Sequence, residues 1–303
     1  MNKITVEPAP DASVLLPSPS NLRAAAWIAG WLLAMLLLLI AGREATHEVS
    51  VFQVMEIRSA VGLLFLYPFI IRSGGLRAMK LRRPMLQIGR NVIHYIAQYL
   101  WFLALTLIPI AQVVSIEFTM PIWTAIFAAF FLKERITRGK TLAIVLGLGG
   151  VLVIVRPGIT AVNSGQIIML IAAMGFGTAI VMMKSLTKTE HAVVIIFWML
   201  VIQSAIGLLP AIYFWARTST YVWLWLIVVA FAGTYSHYCM TQALRYADAT
   251  IVVPMDFLRV PLSALVGWLV YAERLDAFTG VGVVLILSGN LLNLKKSTPS
   301  ISL

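Results

Sequence analysis

Residues 104–154 read ALTLIPIAQVVSIEFTMPIWTAIFAAFFLKERITRGKTLAIVLGLGGVLVI, and a similar segment recurs later in the chain. Residues 243–292 read ALRYADATIVVPMDFLRVPLSALVGWLVYAERLDAFTGVGVVLILSGNLL. An offset of 139 residues aligns the two copies without gaps, placing Glu117 on Asp256 and Thr137 on Asp276. Thr and Asp at the second of these positions are good N-caps for a following helix. Apolar helices resemble one another by chance, but aligned acids and caps indicate duplication.

A second, shorter match extends the repeat towards the N-terminus. The hexapeptide SAVGLL at 59–64 returns as SAIGLL at 204–209, at an offset of 145 residues. The repeating unit is therefore five helices long. Five is odd, so the second half must enter the membrane in the opposite sense from the first. Such inverted repeats are common in secondary transporters, whose substrate sites lie between the halves near the midplane.

Composition indicates a bilayer as the solvent of this chain. The 303 residues are 60% hydrophobic and 12% charged, with a mean hydropathy of +0.92, whereas soluble domains have about 25% charged residues. Segments with apolar residues at every phase, such as WLLAMLLLLIAG, favour helices over the alternating strands of a membrane barrel. The sequence predicts an all-α integral membrane protein with ten transmembrane helices of roughly 20 residues. Their approximate bounds are 22–42, 49–71, 85–107, 109–132, 139–156, 165–184, 191–215, 221–244, 249–271 and 277–294.

The basic residues predict the orientation. The net charge is +11, and 16 of the 23 Lys and Arg fall on the side of the N-terminus, four on the other side and three within spans. Basic loops stay in the cytoplasm, so both termini are expected there. The positive charge then faces anionic lipid headgroups, and a nucleic-acid partner is disfavoured.

The two copies resemble the EamA repeat of the drug/metabolite transporter superfamily, and the whole chain is similar to the YddG-type bacterial amino acid exporters. The resemblance implies two inverted repeats around a central cavity, and a secondary transporter that exports amino acids with aromatic and other neutral side chains. Export would cross the bacterial inner membrane by alternating access; a same-fold exporter of nucleosides, purines or cationic compounds is the alternative. The family often has Gly before the Glu of each repeat, where this chain has Lys133 and Ala272. The expected organisation is a disordered tail at 1–20, repeats at 21–156 and 165–295, and a tail at 296–303.

Ionisable residues inside predicted spans are candidates for function, because charge is expensive in a bilayer and usually faces the bundle interior. In the structural interpretation each acid pairs with Arg58 or Arg259 and locks the halves together. In the functional interpretation Glu117 and Asp256, which are equivalent in the repeat, handle a proton or a substrate ammonium group. The predicted intramembrane charge network is Glu56, Arg58, Glu117, Asp256 and Arg259.

Polar and aromatic residues recur every three or four positions on the third and eighth spans, which places them on one helical face. A cavity lining and a helix contact both explain this pattern. Tyr99 and Tyr238, being equivalent, are expected to face each other across the pseudo-twofold axis. The predicted substrate cavity is lined by His94, Tyr95, Gln98, Tyr99, Trp101, Trp198, Tyr235, His237 and Tyr238.

Two prolines at nearly equivalent positions, Pro121 and Pro261, are predicted to act as hinges that bend the fourth and ninth spans. No catalytic motif and no metal-spaced Cys/His cluster occurs, so an enzyme, a metal site and a cofactor are not expected. The single cysteine, Cys239, excludes an internal disulfide. The expected partners are a small-molecule substrate and membrane lipid, and the chain is compatible with a monomer. A channel or a receptor is the alternative membrane class, although an inverted repeat suits alternating access better.

Overall fold

The structure is a computed structural model that describes residues 20–132, 138–155, 163–186, 189–246, 255–274 and 276–295. Both predicted tails lie outside this part, apart from Ser20. Within it the chain forms eleven α-helices and a 3-10 turn at Leu76–Ala78. The helices are α1 (Asn21–Ala45), α2 (Val51–Arg72), α3 (Pro84–Leu107), α4 (Ile110–Glu117), α5 (Met120–Leu132), α6 (Arg138–Val155), α7 (Ser164–Leu186), α8 (Ala192–Tyr213), α9 (Thr220–Tyr246), α10 (Arg259–Tyr271) and α11 (Ala277–Lys295).

These helices confirm the ten predicted spans. Helices α4 and α5 form the fourth span, interrupted by a turn, and α10 belongs to the ninth. The packing follows the repeat. Helix α1 packs on α9, and the equivalent of α1 in the second half, α7, packs on α3. Helices α2 and α6 each pack on their own equivalents, α8 and α11. A pseudo-twofold axis between two five-helix halves accounts for all four pairings.

The surface of the bundle is apolar, as lipid requires. Leu64 and Leu209, which occupy equivalent repeat positions, are 72% and 77% exposed. Among the described residues, six helices are long and apolar enough to cross a membrane, and three more are apolar but shorter. Helix α3 is outside both groups because its polar face lowers its hydropathy, and that face is turned inward. The chain is a multi-pass membrane protein.

Helix ends agree with the sequence signals where the structure describes them. Asp276 precedes α11 and its carboxylate accepts from the backbone N of Thr279 at 2.6 Å, so its predicted capping role is confirmed; its equivalent Thr137 lies outside the described residues. Ala272, after α10, adopts φ 53°. That is the left-handed conformation glycine favours, at a cost of about 1–2 kcal/mol for other residues. The turn therefore adopts the left-handed conformation that glycine favours, although its residue is alanine.

Each half also fastens a loop of the other half through one glutamate. Glu48 accepts from the backbone N and hydroxyl of Ser219, at 2.9 and 2.8 Å. Glu190 accepts from the backbone N atoms of Arg82 and Arg83, at 3.2 and 3.1 Å. The Ser219 amide and then its hydroxyl hold the pKa of Glu48 below its ordinary value. The two contacts are counterparts across the pseudo-twofold axis.

The contact between α6 and α11 provides a test of the packing. A Cβ on Gly150 would lie 2.6 Å from the Gly282 carbonyl O and 2.7 Å from Ile286 Cγ1, whereas a Cβ on Gly149 would meet nothing within 4 Å. We predict that Gly150→Ala lowers the thermal unfolding midpoint in detergent, because overpacking costs about 1–3 kcal/mol. Gly149→Ala, with the same gain in helix propensity, should not lower it. Equal midpoints for the two variants would contradict this packing.

Candidate functional site

Four polar side chains meet at the centre of the bundle, and we call Arg58, His94, Gln98 and Gln203 the central cluster. Arg58 Nη1 donates to Gln98 Oε1 at 3.0 Å and to Gln203 Oε1 at 3.4 Å. Gln203 Nε2 in turn lies 2.8 Å from His94 Nδ1. Arg58 and Gln203 are 145 residues apart, so equivalent positions of the two halves touch here. The cluster therefore lies at the interface between the repeats.

Arg58 is held by neutral groups. Arg58 is 3% exposed, and its Nε has no hydrogen-bond partner among the described residues. Gly233 on α9 leaves it room, since a Cβ there would lie 2.9 Å from that Nε. The expectation that one acid pairs with Arg58 is not met: within the described ranges the ion pairs of Glu117 and Asp256 go to Arg259.

A second polar group joins the two equivalent acids through one arginine. Arg259 Nη1 donates to Glu117 Oε1 at 2.8 Å, and its Nε lies 3.5 Å from Asp256 Oδ1. Each acid also accepts from an indole: Glu117 from Trp101 at 2.8 Å and Asp256 from Trp31 at 2.6 Å. We call these five residues the acid network. Its formal charge is −1, so an anionic centre lies beside the cationic central cluster.

The acid network forms where two spans are interrupted. Helix α4 ends at Glu117, and α5 begins at Met120 after a two-residue turn; α10 begins at Arg259 after a similar turn. Pro121 and Pro261 both lie in the first turn after the break, where a missing backbone N–H is tolerated. The expected bends thus take the form of breaks just before the prolines, and the hinge role stays a prediction.

The polar stripe on α3 is turned into the protein. Its four members in the predicted cavity set, His94, Tyr95, Gln98 and Trp101, are between 4% and 9% exposed. Gln98 serves the central cluster and Trp101 serves the acid network. These two residues are three positions apart, so their Cβ atoms are neighbours at about 5–6 Å. One face of α3 thus carries both polar groups.

The expectation that Tyr99 and Tyr238 face each other is wrong. Tyr99 stacks on Phe52 at 4.6 Å, near the start of α2, whereas Tyr238 contacts Phe69 at 4.9 Å, near its end. The two phenylalanines are 17 positions apart on α2, which corresponds to roughly 25 Å along the helix. The inverted symmetry explains this separation, because two equivalent residues that do not lie at the midplane are placed at opposite ends of the bundle.

The remaining predicted cavity residues have other surroundings. Trp198 donates its indole N–H to the Met79 carbonyl at 2.8 Å, in the connection between α2 and α3, and this places it at a loop. Tyr235 is 36% exposed and stacks on Phe231 at 5.3 Å. His237 is partly buried on α9, within range of the charges of Arg58 and Arg90. Of these three, His237 is the one near the central cluster.

Sequence reasoning missed several contacting residues. Gln203 could have been found, because the 145-residue offset places it on Arg58. Ser204 is the first residue of the repeated hexapeptide and donates to Glu56. The hexapeptide indicates the repeat, but it does not by itself indicate this contact. Trp31 gave no signal, since it lies in the uniformly apolar first span. Gly233 is a site residue only through the space it leaves.

The dipeptide Glu-Arg occurs at equivalent positions of the two repeats, at 134–135 and 273–274, and Glu273 of the second copy makes structural contacts. Glu273 pairs with Arg43 and accepts from the backbone N of Ile110 at 2.9 Å. Arg43 also donates to the carbonyls of Leu105 and Ile108, at 2.8 and 2.7 Å. The pair thereby joins the ends of α1 and α10 to the α3–α4 junction. The equivalent Glu134 lies outside the described residues.

Two inverted five-helix halves with buried charge between them are typical of multi-pass membrane transporters. The chain belongs to the EamA-like transporter family, whose pattern matches residues 22–156 and 163–295. Members of this family are transporters, so the protein is a transporter and not an enzyme. The resemblance to the drug/metabolite transporter superfamily is confirmed.

Curated relatives carry several kinds of substrate. The chain is 30% identical to a riboflavin transporter of Rhizobium johnstonii, over 75% of this chain and 76% of that one. It is 24% identical to an S-adenosylmethionine uptake transporter of Rickettsia prowazekii, covering 83% and 85%. It is 26% identical to a pseudopaline exporter of Pseudomonas aeruginosa, covering 81% and 86%. A solved crystal structure aligns with a TM-score of 0.64 at 18% identity, over 90% of this chain and 97% of that one, which shows a shared fold.

Proposed function

We propose that this protein exports amino acids, or metabolites built on an amino acid, across the bacterial inner membrane by alternating access. The observation that carries the proposal is Arg58, a guanidinium buried between the halves and held by amides. A buried charge is stable only when it is paired and hydrogen-bonded. Gln98 and Gln203 satisfy one nitrogen of Arg58, and its buried Nε has no hydrogen-bond partner in the described part of the chain.

A substrate carboxylate would complete this arrangement. Guanidinium and carboxylate groups form short, charge-assisted and frequently bidentate hydrogen bonds. The carboxylate would neutralise Arg58 while His94 and the two amides fix its position. The halves meet at this point, so a group bound there would contact both of them. Alternating access requires such a site.

The acid network supplies the opposite charge for an amino acid. Glu117 and Asp256 together outweigh Arg259 by one negative charge, and Trp101 connects them to the α3 face that carries Gln98. A substrate ammonium group on that side would balance the network. S-adenosylmethionine, the cargo of the Rickettsia relatives, also carries a carboxylate and an ammonium group. A zwitterion therefore suits both charge centres.

A second candidate is a flat aromatic metabolite of the riboflavin type, as in the relative with 30% identity. The stack of Phe214, Phe52 and Tyr99, with ring centroids 5.7 and 4.6 Å apart, is the feature that favours it. Offset stacking on such rings holds planar ligands. Nucleosides and purines belong to the same alternative, whereas cationic compounds would depend on the acid network alone.

Reconstituted vesicles can separate these candidates. We predict that aromatic and other neutral amino acids enter liposomes containing the purified protein with saturable, counterflow-stimulated kinetics, and that riboflavin does not compete. The panel comprises labelled amino acids, S-adenosylmethionine and riboflavin, each with and without a pH gradient. Protein-free liposomes provide the baseline. Riboflavin uptake without amino acid uptake would contradict the proposal, and flux that does not saturate would indicate a channel.

The proposal includes an orientation and a hinge. The basic loops support cytoplasmic termini, and the bacterial relatives support the inner membrane. Export rests on the resemblance to amino acid exporters and on the pseudopaline exporter among the relatives. Rocking of each half would occur at the breaks before Pro121 and Pro261. Comparing net transport by right-side-out and inside-out vesicles tests the direction.

A further inference from the structure

A small polar pocket between α2, α3 and α8 belongs to neither charge centre described above, and we call Glu56, Tyr95, Ser204 and Gly207 the Glu56 pocket. Glu56 is 7% exposed and Tyr95 is 5% exposed. Ser204 donates its hydroxyl to Glu56 Oε1. Glu56 Oε2 and the Tyr95 hydroxyl have no hydrogen-bond partner within the described part of the chain. Two buried oxygens of this kind call for an explanation, because unpaired buried polar groups are costly.

Both oxygens point at the same place. A Cβ added to Gly207 would lie 2.9 Å from the Tyr95 hydroxyl and 3.0 Å from Glu56 Oε2. Any other residue at this position would therefore collide with both oxygens, so glycine allows the carboxylate and the phenol to approach α8 this closely. The two oxygens are not hydrogen-bonded to each other. A proton on the carboxylate, donated to the phenol oxygen directly or through a bridging water, would satisfy both.

Among the residues that the structure describes, Glu56 also differs from Glu117 and Asp256 in forming no ion pair with a cationic side chain. Glu117 and Asp256 each contact Arg259 and each accept from an indole N–H. Arg58 lies two positions after Glu56 on α2, but its guanidinium donates to Gln98 and Gln203. A buried carboxylate without a counter-charge is neutralised by a proton more readily than a paired one.

The groups around Glu56 are suited to a proton on its carboxylate. Helix α3 contributes Tyr95, followed one turn later by Tyr99, and α8 contributes Ser204, which does not titrate in the working range. Helix α9 packs elsewhere on α2, where Gly233 meets the Arg58 side chain. No cluster of three or more His, Cys, Asp or Glu suited to a metal ion occurs among the described residues. One carboxylate and two hydroxyls suit a single proton.

We propose that Glu56 is the proton-binding residue that couples transport to the pH gradient. The ionised carboxylate takes one proton on Oε2, and the resulting O–H donates towards the Tyr95 hydroxyl; the same O–H bond breaks when the proton leaves on the other side of the membrane. Ser204 belongs to the second half and Glu56 to the first, so rocking of the halves changes the pocket. The inference rests on the proposed carrier function for its purpose, but the proton site itself can be tested without a substrate.

The substrate-free test is infrared difference spectroscopy of the full chain in liposomes, with a step between acidic and alkaline buffer as the probe. We expect a protonated carboxylic acid band that is lost in Glu56→Gln and kept in Glu117→Gln. Gly207→Ala should displace or remove the band, because the added methyl group collides with the Tyr95 hydroxyl and Glu56 Oε2. Gly280→Ala, whose Cβ would meet nothing within 4 Å, should leave it unchanged.

Transport measurements supply the second arm. With the best amino acid of the panel, Glu56→Gln should lose stimulation by a pH gradient while keeping substrate counterflow. A band that persists in Glu56→Gln would overturn the proton site, as would stimulation that persists in this variant. Stimulation by a sodium gradient at constant pH instead of a pH gradient would overturn the choice of ion. If no panel compound is transported, the proposed function fails while the infrared result still stands.

Discussion

Replacing Arg58 with glutamine is expected to lower kcat/KM for amino acid transport by at least about 100-fold, because breaking a buried ion pair by removing one partner costs about 3–5 kcal/mol. Glutamine is the residue of the second half at this position, Gln203, so the bundle already accommodates it there. The variant keeps hydrogen-bonding capacity and removes only the charge and the guanidinium fork. Initial rates of uptake into proteoliposomes over a range of substrate concentrations provide the measurement.

The control is a change of substrate. The decarboxylated amine of the same amino acid lacks the group that Arg58 binds, so native protein and Arg58→Gln should carry it at similar rates. Arg58→Lys should be intermediate, since an ammonium supplies charge without the planar fork. Unchanged amino acid transport in Arg58→Gln would remove Arg58 from substrate binding. An equal loss for the amine and the amino acid would assign it a purely structural role.

The architecture was predictable because it depends on patterns that sequence records directly. Apolar segments of membrane length predict spans, and the two aligned copies predict the symmetry that the α1–α9 and α3–α7 pairs display. Asp276 was predictable as a cap because capping is local. The break between Glu117 and Met120 was less predictable. Pro121 predicted a bend nearby, but a proline in the sequence does not distinguish a bent helix from an interrupted one.

The partners of the site residues were harder to predict, since they depend on how helices from different halves approach one another. The sequence offered Glu117 and Asp256 as partners for Arg58, yet Arg58 donates to Gln98 and Gln203 instead. Tyr99 and Tyr238 are equivalent, and inversion separates equivalents that lie away from the midplane. Gly207 has no side chain to signal a site, and its importance comes from the oxygens that surround it.

Replacing Arg259 with methionine is expected to cause the largest loss of stability in the protein. Arg259 is 3% exposed, bridges Glu117 and Asp256, and lies over the Phe118 ring at 4.8 Å. Its removal leaves two buried carboxylates with indole donors but no counter-charge. That should cost about 3–5 kcal/mol and lower the thermal unfolding midpoint of the detergent-solubilised protein by roughly 10 °C. A midpoint equal to that of the native protein would show that the network contributes no stability.

Neutralising the acids separates their two interpretations. Glu117→Gln and Asp256→Asn in the Arg259→Met background should recover most of the lost stability, because a network without charges has no uncompensated carboxylate; residues of one network are strongly non-additive. The recovered triple variant, when reconstituted, then reports on function. If it transports the amino acid at the native rate, the acids only hold α4 and α10 together. If it is stable but inactive, while Arg58 and the Glu56 pocket are intact, the acids bind the substrate ammonium group, as the zwitterion proposal requires.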